Sequence, residues 1–124
     1  MIKGTSIWVE PADWAGKIMF IETSEEKISP SGFKHILRNY AATGVFKNIA
    51  GLLVARPYDN LHWKEYDTIL LKIIREEEGL VDLPIVTGMD FGHTCPIFTL
   101  PYGLLAEIDC EEQTFSIIES GLTI

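Results

Sequence analysis

One short stretch of the chain carries most of its reactive side chains. Residues 84–103 read PIVTGMDFGHTCPIFTLPYG, in which two apolar runs flank a polar turn that contains Asp90 and His93. Histidine is the side chain best suited to proton transfer near neutral pH, because its unperturbed pKa is about 6.5. A carboxylate that accepts a hydrogen bond from the ring fixes the tautomer and stabilises the imidazolium. The stretch therefore predicts acid–base chemistry if a carboxylate can reach His93.

Glu22 is the candidate carboxylate. It follows the wholly apolar run at residues 18–21, and a run without alternation is typical of a strand buried on both faces. A charge at the end of such a strand is costly unless it has a partner. A pair between Glu22 and His93 would satisfy both groups, and we predict both as catalytic residues. The competing interpretation is structural: Glu22 caps its own loop and His93 bonds a backbone carbonyl.

The sequence offers no convincing nucleophile for this pair. The available hydroxyls belong to Ser24, Ser29, Ser31 and Thr94. None of them lies in a G-x-S-x-G elbow or in another strained turn. Ser31 fits a helix N-cap, and Thr94 fits a local loop hydroxyl. We therefore expect the nucleophile to be missing from this chain.

A metal centre is the rival chemistry for the same loop. Asp90, His93 and Cys95 lie close together in sequence, and three distant side chains could add ligands: Cys110, His35 and His62. However, D-x-x-H-x-C matches no metal-ligand spacing, and neither C-x-x-C nor H-E-x-x-H occurs. A phosphate loop at residues 88–92 is weaker still, because the lysine is absent and Asp90 would repel an anion. We predict no metal and no cofactor.

Length and charge narrow the class of protein. A chain of 124 residues with 47% hydrophobic residues is sized for one domain with a sizeable core. Its formal net charge of −8 should repel nucleic acid and anionic membranes. Residues 1–4 start no signal peptide, and no apolar run spans a bilayer, so we predict a cytoplasmic protein. We expect Cys95 and Cys110 to be buried free thiols.

Hydrophobic patterns predict strands that alternate with helices. Phe33, Ile36, Leu37 and Tyr40 share one helical face, and Gly44 would end that helix. A second helix is expected over residues 63–78. The first stretch, residues 4–17, is expected to be an arm without an element of its own. The expected strands, the last two forming a hairpin, are residues 17–22, 49–55, 84–86, 97–100, 104–109 and 114–119.

This alternation predicts an α/β domain whose sheet is at least partly parallel. In open parallel sheets, functional groups gather beyond the carboxyl ends of the strands. Glu22 ends the first predicted strand, Arg56 follows the second, and the His93 loop follows the third. We therefore expect these three groups to converge on one edge of the sheet.

Four segments resemble a known family, the LD-carboxypeptidase and microcin-immunity serine peptidases. They are KIMFIETSEE, SPSGF, IAGLLVARP and LPIVTGMDFGHTCPIFTLPYGLLAEID. The resemblance is to the C-terminal domain of that family and covers nearly the whole chain from Gly4 onward. The T-S-E-E continuation is more similar to the microcin-immunity branch than to the murein tetrapeptide carboxypeptidases.

The resemblance implies a swivelling β/β/α-type domain over residues 1–124 and a role for its site residues. The family's enzymes use a Ser-Glu-His triad, in which Glu22 matches the glutamate and His93 the histidine. The serine belongs to a preceding N-terminal domain, which we expect to be absent here. The implied reaction is serine-dependent cleavage of peptide-like amide bonds, and the chain alone is expected to be inactive.

The resemblance also implies partners and alternatives. The implied partner is the missing serine domain, and the implied substrate is a small peptide-like molecule. In the microcin branch this is a peptidyl- or aminoacyl-nucleotide; in the other branch it is a murein peptide. The surface left by the missing domain could also support a homodimer. A different class remains open, namely a non-catalytic module that binds a ligand or partner through Arg56 or its aromatic-rich start.

Overall fold

The computed structural model describes residue 6 and residues 8–122. Two helices alternate with three strands, and a two-stranded hairpin follows them. The elements are β1 (Ile18–Ile21), α1 (Pro30–Ala42), β2 (Gly51–Ala55), α2 (Trp63–Leu71), β3 (Ile85–Met89), β4 (Ala106–Asp109) and β5 (Thr114–Ile117). The predicted first and second strands, both helices and the hairpin are confirmed.

Strand β2 lies between β1 and β3 and runs parallel to both. Its five residues, Gly51–Ala55, are all buried. A central strand that is covered on both faces has no place for a polar side chain, which explains the unbroken apolar run. The predicted parallel sheet and its buried second strand are therefore confirmed.

The sheet is covered by a different layer on each face. On one face, Leu52 and Val54 pack into a core with side chains of both helices. On the other face, Leu53 and Ala55 pack near hairpin side chains that include Phe115. Successive residues of a strand point to opposite faces, so one strand serves both cores. The helix layer, parallel sheet and hairpin layer confirm the predicted layered α/β fold.

Helix α1 begins at a different serine from the one predicted. Ser31 was the expected N-cap, but the hydroxyl of Ser29 caps the helix by accepting the backbone N–H of Gly32 at 3.1 Å. Pro30 then takes the first helical position, where its missing N–H costs nothing. The helix ends as predicted, because Gly44 follows with a left-handed φ of 78°.

Helix α2 continues without a break into a π-helical segment, Lys72–Glu77. The backbone N–H of Glu78 donates to the carbonyl of Ile73, five residues earlier, at 2.9 Å. This segment buries the neighbouring side chains of Ile73 and Ile74 together. Gly79, in the left-handed region, stops the helix at the predicted place. The predicted helical span is confirmed, and its last turns are wider than expected.

Two predicted buried strands do not exist as expected. Strand β3 forms, but its residues are half-buried or exposed, because it is an edge strand whose register with β2 shifts between Leu53 and Ala55. The apolar run 97–100 forms no strand, and Ile97 is 63% exposed. The backbone N–H of Phe98 instead donates to the carbonyl of Asp90 at 2.8 Å. The run therefore supports the preceding loop rather than a sheet.

The expectations for the cysteines and for the N-terminal arm also need correction. Cys95 and Cys110 are both free, as predicted, but both are exposed rather than buried. The arm contains a short 3-10 helix, Pro11–Trp14, and Trp14 packs against the helix-side core. Residues 4, 5 and 7 of the predicted arm lie outside the described residues.

No helix within the described part of the chain combines the length and apolar character needed to cross a membrane.

Adjacent leucines of α2 provide a matched test of this packing. Leu70 is 1% exposed in the helix-side core, whereas Leu71 is 48% exposed. Leu70→Ala is expected to lower the free energy of unfolding by about 2–5 kcal/mol, because it leaves a cavity. Leu71→Ala should change it by less than about 1 kcal/mol. Urea unfolding measures both, and equal losses would contradict the packing described.

Candidate active site

The structure brings Glu22 and His93 together at the carboxyl edge of the sheet. Glu22 directly follows β1, and His93 lies in the loop after β3. The imidazole Nδ1 of His93 is 3.0 Å from the Oε2 atom of Glu22. The backbone N–H of His93 donates to the same oxygen at 2.7 Å. The structural alternative, in which each group satisfies itself locally, is not what forms.

A glycine makes this close approach possible. Gly92 has a φ of 75°, and a Cβ atom on it would lie 1.7 Å from the Oε2 atom of Glu22. Any other residue would therefore place its side chain on the carboxylate that His93 needs. The left-handed conformation also turns the backbone N–H of His93 towards Glu22, so Gly92 is required both for the turn and for the space.

The contact with Glu22 changes the acid–base behaviour of the imidazole. An ionised carboxylate can only accept, so the proton at this contact lies on Nδ1 of His93. The hydrogen bond to Glu22 raises the pKa of His93, and the negative charges of Glu22 and Glu25 act in the same direction against desolvation. The side chains of His93 and Glu22 are 48% and 40% exposed. Solvent therefore screens the pair as it stands.

Arg56 holds the loop that carries His93. Its Nε and Nη2 atoms donate to one carboxylate oxygen of Asp90 at 2.9 and 2.6 Å, and Nη2 also donates to the carbonyl of Cys95 at 3.0 Å. The guanidinium thus joins the beginning of the loop to its end. The predicted convergence of Arg56 with Glu22 and His93 is seen, but Arg56 acts on the loop and is neutralised by Asp90.

Aromatic packing fixes the base of the same loop. Phe91 is 4% exposed and packs against Leu53 and Ala55 beneath the sheet. Its ring meets that of Phe20 edge-on, with centroids 5.6 Å apart and an interplanar angle of 81°. Phe91 lies two residues before His93, so this buried ring sets where the imidazole can lie.

Glu25 is a site residue that the sequence reasoning missed. Its Oε2 atom lies 3.1 Å from Nε2 of His93, on the side of the ring opposite Glu22. The sequence signal was present, since Glu25 is three residues beyond Glu22 in the same loop. That signal does not separate Glu25 from ordinary surface, because short acidic clusters such as Glu25-Glu26 are usually solvated.

The other candidate residues do not join the site. Ser24 accepts the backbone N–H of Glu26 at 3.4 Å, and Ser29 caps α1. No hydroxyl of residues 6 and 8–122 hydrogen-bonds to His93. The hydroxyl oxygen of Thr94 is buried and has no hydrogen-bond partner among these residues.

The metal alternative gains no support from the geometry. No group of three or more histidine, cysteine or acidic side chains that could hold a metal ion occurs within the described ranges. His62 lies 3.7 Å from Glu65 at the start of α2. His35 is exposed on α1, as expected for a surface helix residue.

Fold and site together define a class: an α/β domain that presents a carboxylate–imidazole pair beyond the ends of parallel strands. Residues 1–108 match the family model of the LD-carboxypeptidase C-terminal domain. The chain therefore belongs to the LD-carboxypeptidase family of serine peptidases, through its C-terminal domain. The resemblance inferred from the sequence is confirmed.

Three relatives illustrate the similarity. The microcin C7 self-immunity protein MccF of Escherichia coli is 24% identical over 136 residues, covering 96% of this chain and 35% of that protein. A putative carboxypeptidase of Treponema pallidum is 27% identical over 100 residues, covering 81% of this chain and 29% of that protein. The crystal structure of an MccF-like protein from Streptococcus pneumoniae in complex with AMP is 38% identical, with a TM-score of 0.78.

That structural match covers 90% of this chain and 32% of the pneumococcal chain. The chain thus spans about a third of the length of the relatives that it matches.

Gly92 and Gly88 have similar φ angles, so substituting each of them separates the cost of backbone strain from the effect of a clash with Glu22. Gly92→Ala would place a methyl group on Glu22, whereas Gly88→Ala, at a φ of 73°, meets nothing within 4 Å. Both variants should lose about 1–2 kcal/mol through the left-handed backbone. Only Gly92→Ala should also return the pKa of His93 towards its ordinary value, measured by NMR titration. Equal titration in the two variants would contradict the contact.

The raised pKa of His93 predicts how stability depends on pH. A pKa that is higher in the folded chain adds stability that is complete below the unfolded pKa of about 6.5 and is lost as pH rises through the folded value. Glu22→Gln removes the charge but keeps an oxygen for the backbone N–H of His93. It should therefore destabilise the chain more at about pH 5.5 than at about pH 9.

Chemical denaturation at both pH values measures this difference. Glu26→Gln, an exposed neighbour with the same change of charge, is the control and should show little dependence. A loss in Glu22→Gln that stays constant between the two pH values would refute the role of the imidazolium.

Proposed function

We propose that this chain supplies the glutamate and the histidine of a Ser-Glu-His triad in a serine-type carboxypeptidase. The observation that carries the proposal is the contact between Glu22 and His93, with 3.0 Å between Oε2 and Nδ1, in a chain of this family. The triad serine would come from an N-terminal domain outside these 124 residues. The relatives that are about three times longer support this division.

The geometry fits the roles that such a triad requires. Glu22 accepts a hydrogen bond from Nδ1 of His93, which leaves Nε2 as the nitrogen that would act on a nucleophile. Nε2 would take the proton from the serine hydroxyl as the hydroxyl oxygen attacks the amide carbonyl. The imidazolium would then give this proton to the leaving nitrogen, and water would hydrolyse the acyl-enzyme by the same proton path.

The docked serine domain would also complete the electrostatics of the pair. Glu22 and His93 are each nearly half exposed in this chain. A domain that covers them would exclude water and strengthen the interaction between carboxylate and imidazolium. The oxyanion donors would come from that domain as well. The homodimer stays a prediction, as does the cytoplasmic location.

The relatives favour a substrate that carries a nucleotide. The pneumococcal structure, at 38% identity, contains AMP, and the Escherichia coli relative is a microcin C7 self-immunity protein. We therefore propose a peptidyl- or aminoacyl-nucleotide as the substrate. The second candidate is a murein peptide, which the putative carboxypeptidase of Treponema pallidum supports.

The non-catalytic module is less well supported than either enzyme. Such a module would bind a partner or ligand through Arg56 or through the aromatic-rich start of the chain. The guanidinium of Arg56 is already engaged by Asp90 and by the carbonyl of Cys95. Its charge is therefore used inside the domain, where it holds the His93 loop.

The isolated chain is expected to hydrolyse neither an aminoacyl-nucleotide nor a murein tetrapeptide, because it lacks the nucleophile. Addition of a serine domain from a longer relative in trans should restore turnover, followed by release of the free amino acid or peptide. His93→Ala should abolish the restored activity, and Glu22→Gln should lower kcat by up to about 10⁴-fold.

Two controls make this experiment decisive. His35→Ala, an exposed histidine of α1, should leave the restored activity unchanged. Turnover by the isolated chain that disappears in His93→Ala would overturn the claim that the nucleophile is missing. Restored turnover that survives His93→Ala would overturn the assignment of the triad.

A further inference from the structure

The Nε2 atom of His93, which would act on a nucleophile, already faces a carboxylate. Nε2 lies 3.1 Å from the Oε2 atom of Glu25, while Nδ1 lies 3.0 Å from Glu22. The imidazole therefore bridges two carboxylates. Both carboxylates are acceptors, so both ring nitrogens must carry a proton for the two contacts to be attractive. This arrangement favours the imidazolium form of His93, which has no lone pair with which to act as a base.

The two carboxylates differ in how firmly they are held. Glu22 receives a second hydrogen bond from the backbone N–H of His93 at 2.7 Å. Among the described residues, the only ion pair or hydrogen bond of the Glu25 carboxylate is the one with His93. Its side chain is also 61% exposed, compared with 40% for Glu22. Glu25 is therefore the more weakly held of the two carboxylates and the one that can be displaced from His93.

The neighbouring cations Arg56 and Lys27 do not account for the position of the Glu25 carboxylate, because each faces another carboxylate. Arg56 is paired with Asp90 at 2.6 Å on the same loop. The next cation along the Glu25 loop, Lys27, faces Asp59 at 3.6 Å. His93 is thus the positive group that Glu25 faces, and the interaction depends on the protonation of the imidazole.

We propose that Glu25 is a positioning residue that holds His93 in a resting, protonated state until the nucleophile displaces it. This inference rests on the proposed triad. Arrival of the serine hydroxyl at Nε2 moves the Glu25 carboxylate into solvent, and the imidazole then loses its second proton to water. His93 keeps its orientation throughout, because Glu22 holds Nδ1. The resting contact lowers the fraction of neutral imidazole by about 1.5- to 5-fold until the site is complete.

The contact can be tested in the isolated chain without any substrate. Glu25→Gln and Glu25→Ala should lower the pKa of His93 in an NMR titration, but not to the ordinary value, because Glu22 remains. The change in the protonation equilibrium should be about 1.5- to 5-fold, as for an exposed ion pair. Glu26→Gln is the matched control and should titrate as the unmodified chain.

The accessibility of Nε2 gives a second readout. Diethyl pyrocarbonate acylates neutral imidazole, so His93 should react more slowly than the exposed His35 of the same chain. Glu25→Ala should raise the rate at His93 by about the same 1.5- to 5-fold and leave His35 unchanged. Unchanged titration and unchanged reactivity in both Glu25 variants would overturn the inference.

The reconstituted enzyme separates this inference from the proposed function. If the triad is correct, binding of the serine domain displaces Glu25, so Glu25→Gln should shift the acid limb of the kcat/KM profile much less than it shifts the pKa of His93 in the isolated chain, and Glu26→Gln should change neither. Absence of turnover with the serine domain would count against the proposed function alone. Turnover whose acid limb moves in Glu25→Gln as far as the pKa of His93 moves in the isolated chain would show that Glu25 is not displaced, and would count against this inference alone.

Discussion

The site depends on one carboxylate oxygen that accepts two hydrogen bonds from a single residue. Oε2 of Glu22 binds both the backbone N–H and the ring Nδ1 of His93. Two contacts to one residue fix the ring plane as well as its distance, which a single contact between exposed side chains would not do. The arrangement forms only because Gly92 leaves the space empty and takes a left-handed backbone. Much of the surrounding structure serves to bring these two segments to the same edge.

The parallel sheet supplies that common edge. Glu22 and the His93 loop are 71 residues apart in sequence, and each follows a strand that neighbours β2. Parallel pairing places the carboxyl ends of all three strands on one side, so the segments meet without a long excursion. Arg56, which follows β2 itself, then links the two ends of the loop through Asp90 and the carbonyl of Cys95. Each strand therefore contributes one component: the carboxylate, the clamp and the imidazole.

The sequence predicted the strands and helices that long, continuous apolar patterns define. It missed features in which a segment or side chain binds the His93 loop instead of a sheet or solvent. The apolar runs around Leu52 and the helical face of α1 identified the layers, because burial on both faces leaves little freedom of residue type. The run 97–100 is equally apolar, but the backbone N–H of Phe98 bonds to the His93 loop, and the run pairs with no strand of the described residues. Position along the chain showed that Glu22 could meet His93. It did not predict that Glu25 also contacts His93, because the sequence pattern around an exposed carboxylate is the same whether it binds a partner or only solvent.

The resting contact and the exposure of the pair have a common physical origin. An imidazolium at a surface is stabilised by any nearby carboxylate, and in water that stabilisation is small enough to be replaced. When a docked domain excludes water, the same charges interact more strongly, and a site with two carboxylates and one imidazolium would carry an excess negative charge. Releasing Glu25 to solvent would leave one carboxylate and one neutral imidazole, whose Nε2 atom is then free to accept a proton. Under the proposed function, the weakness of the Glu25 contact would allow a single Glu22–His93 pair to operate once a second domain closes the site.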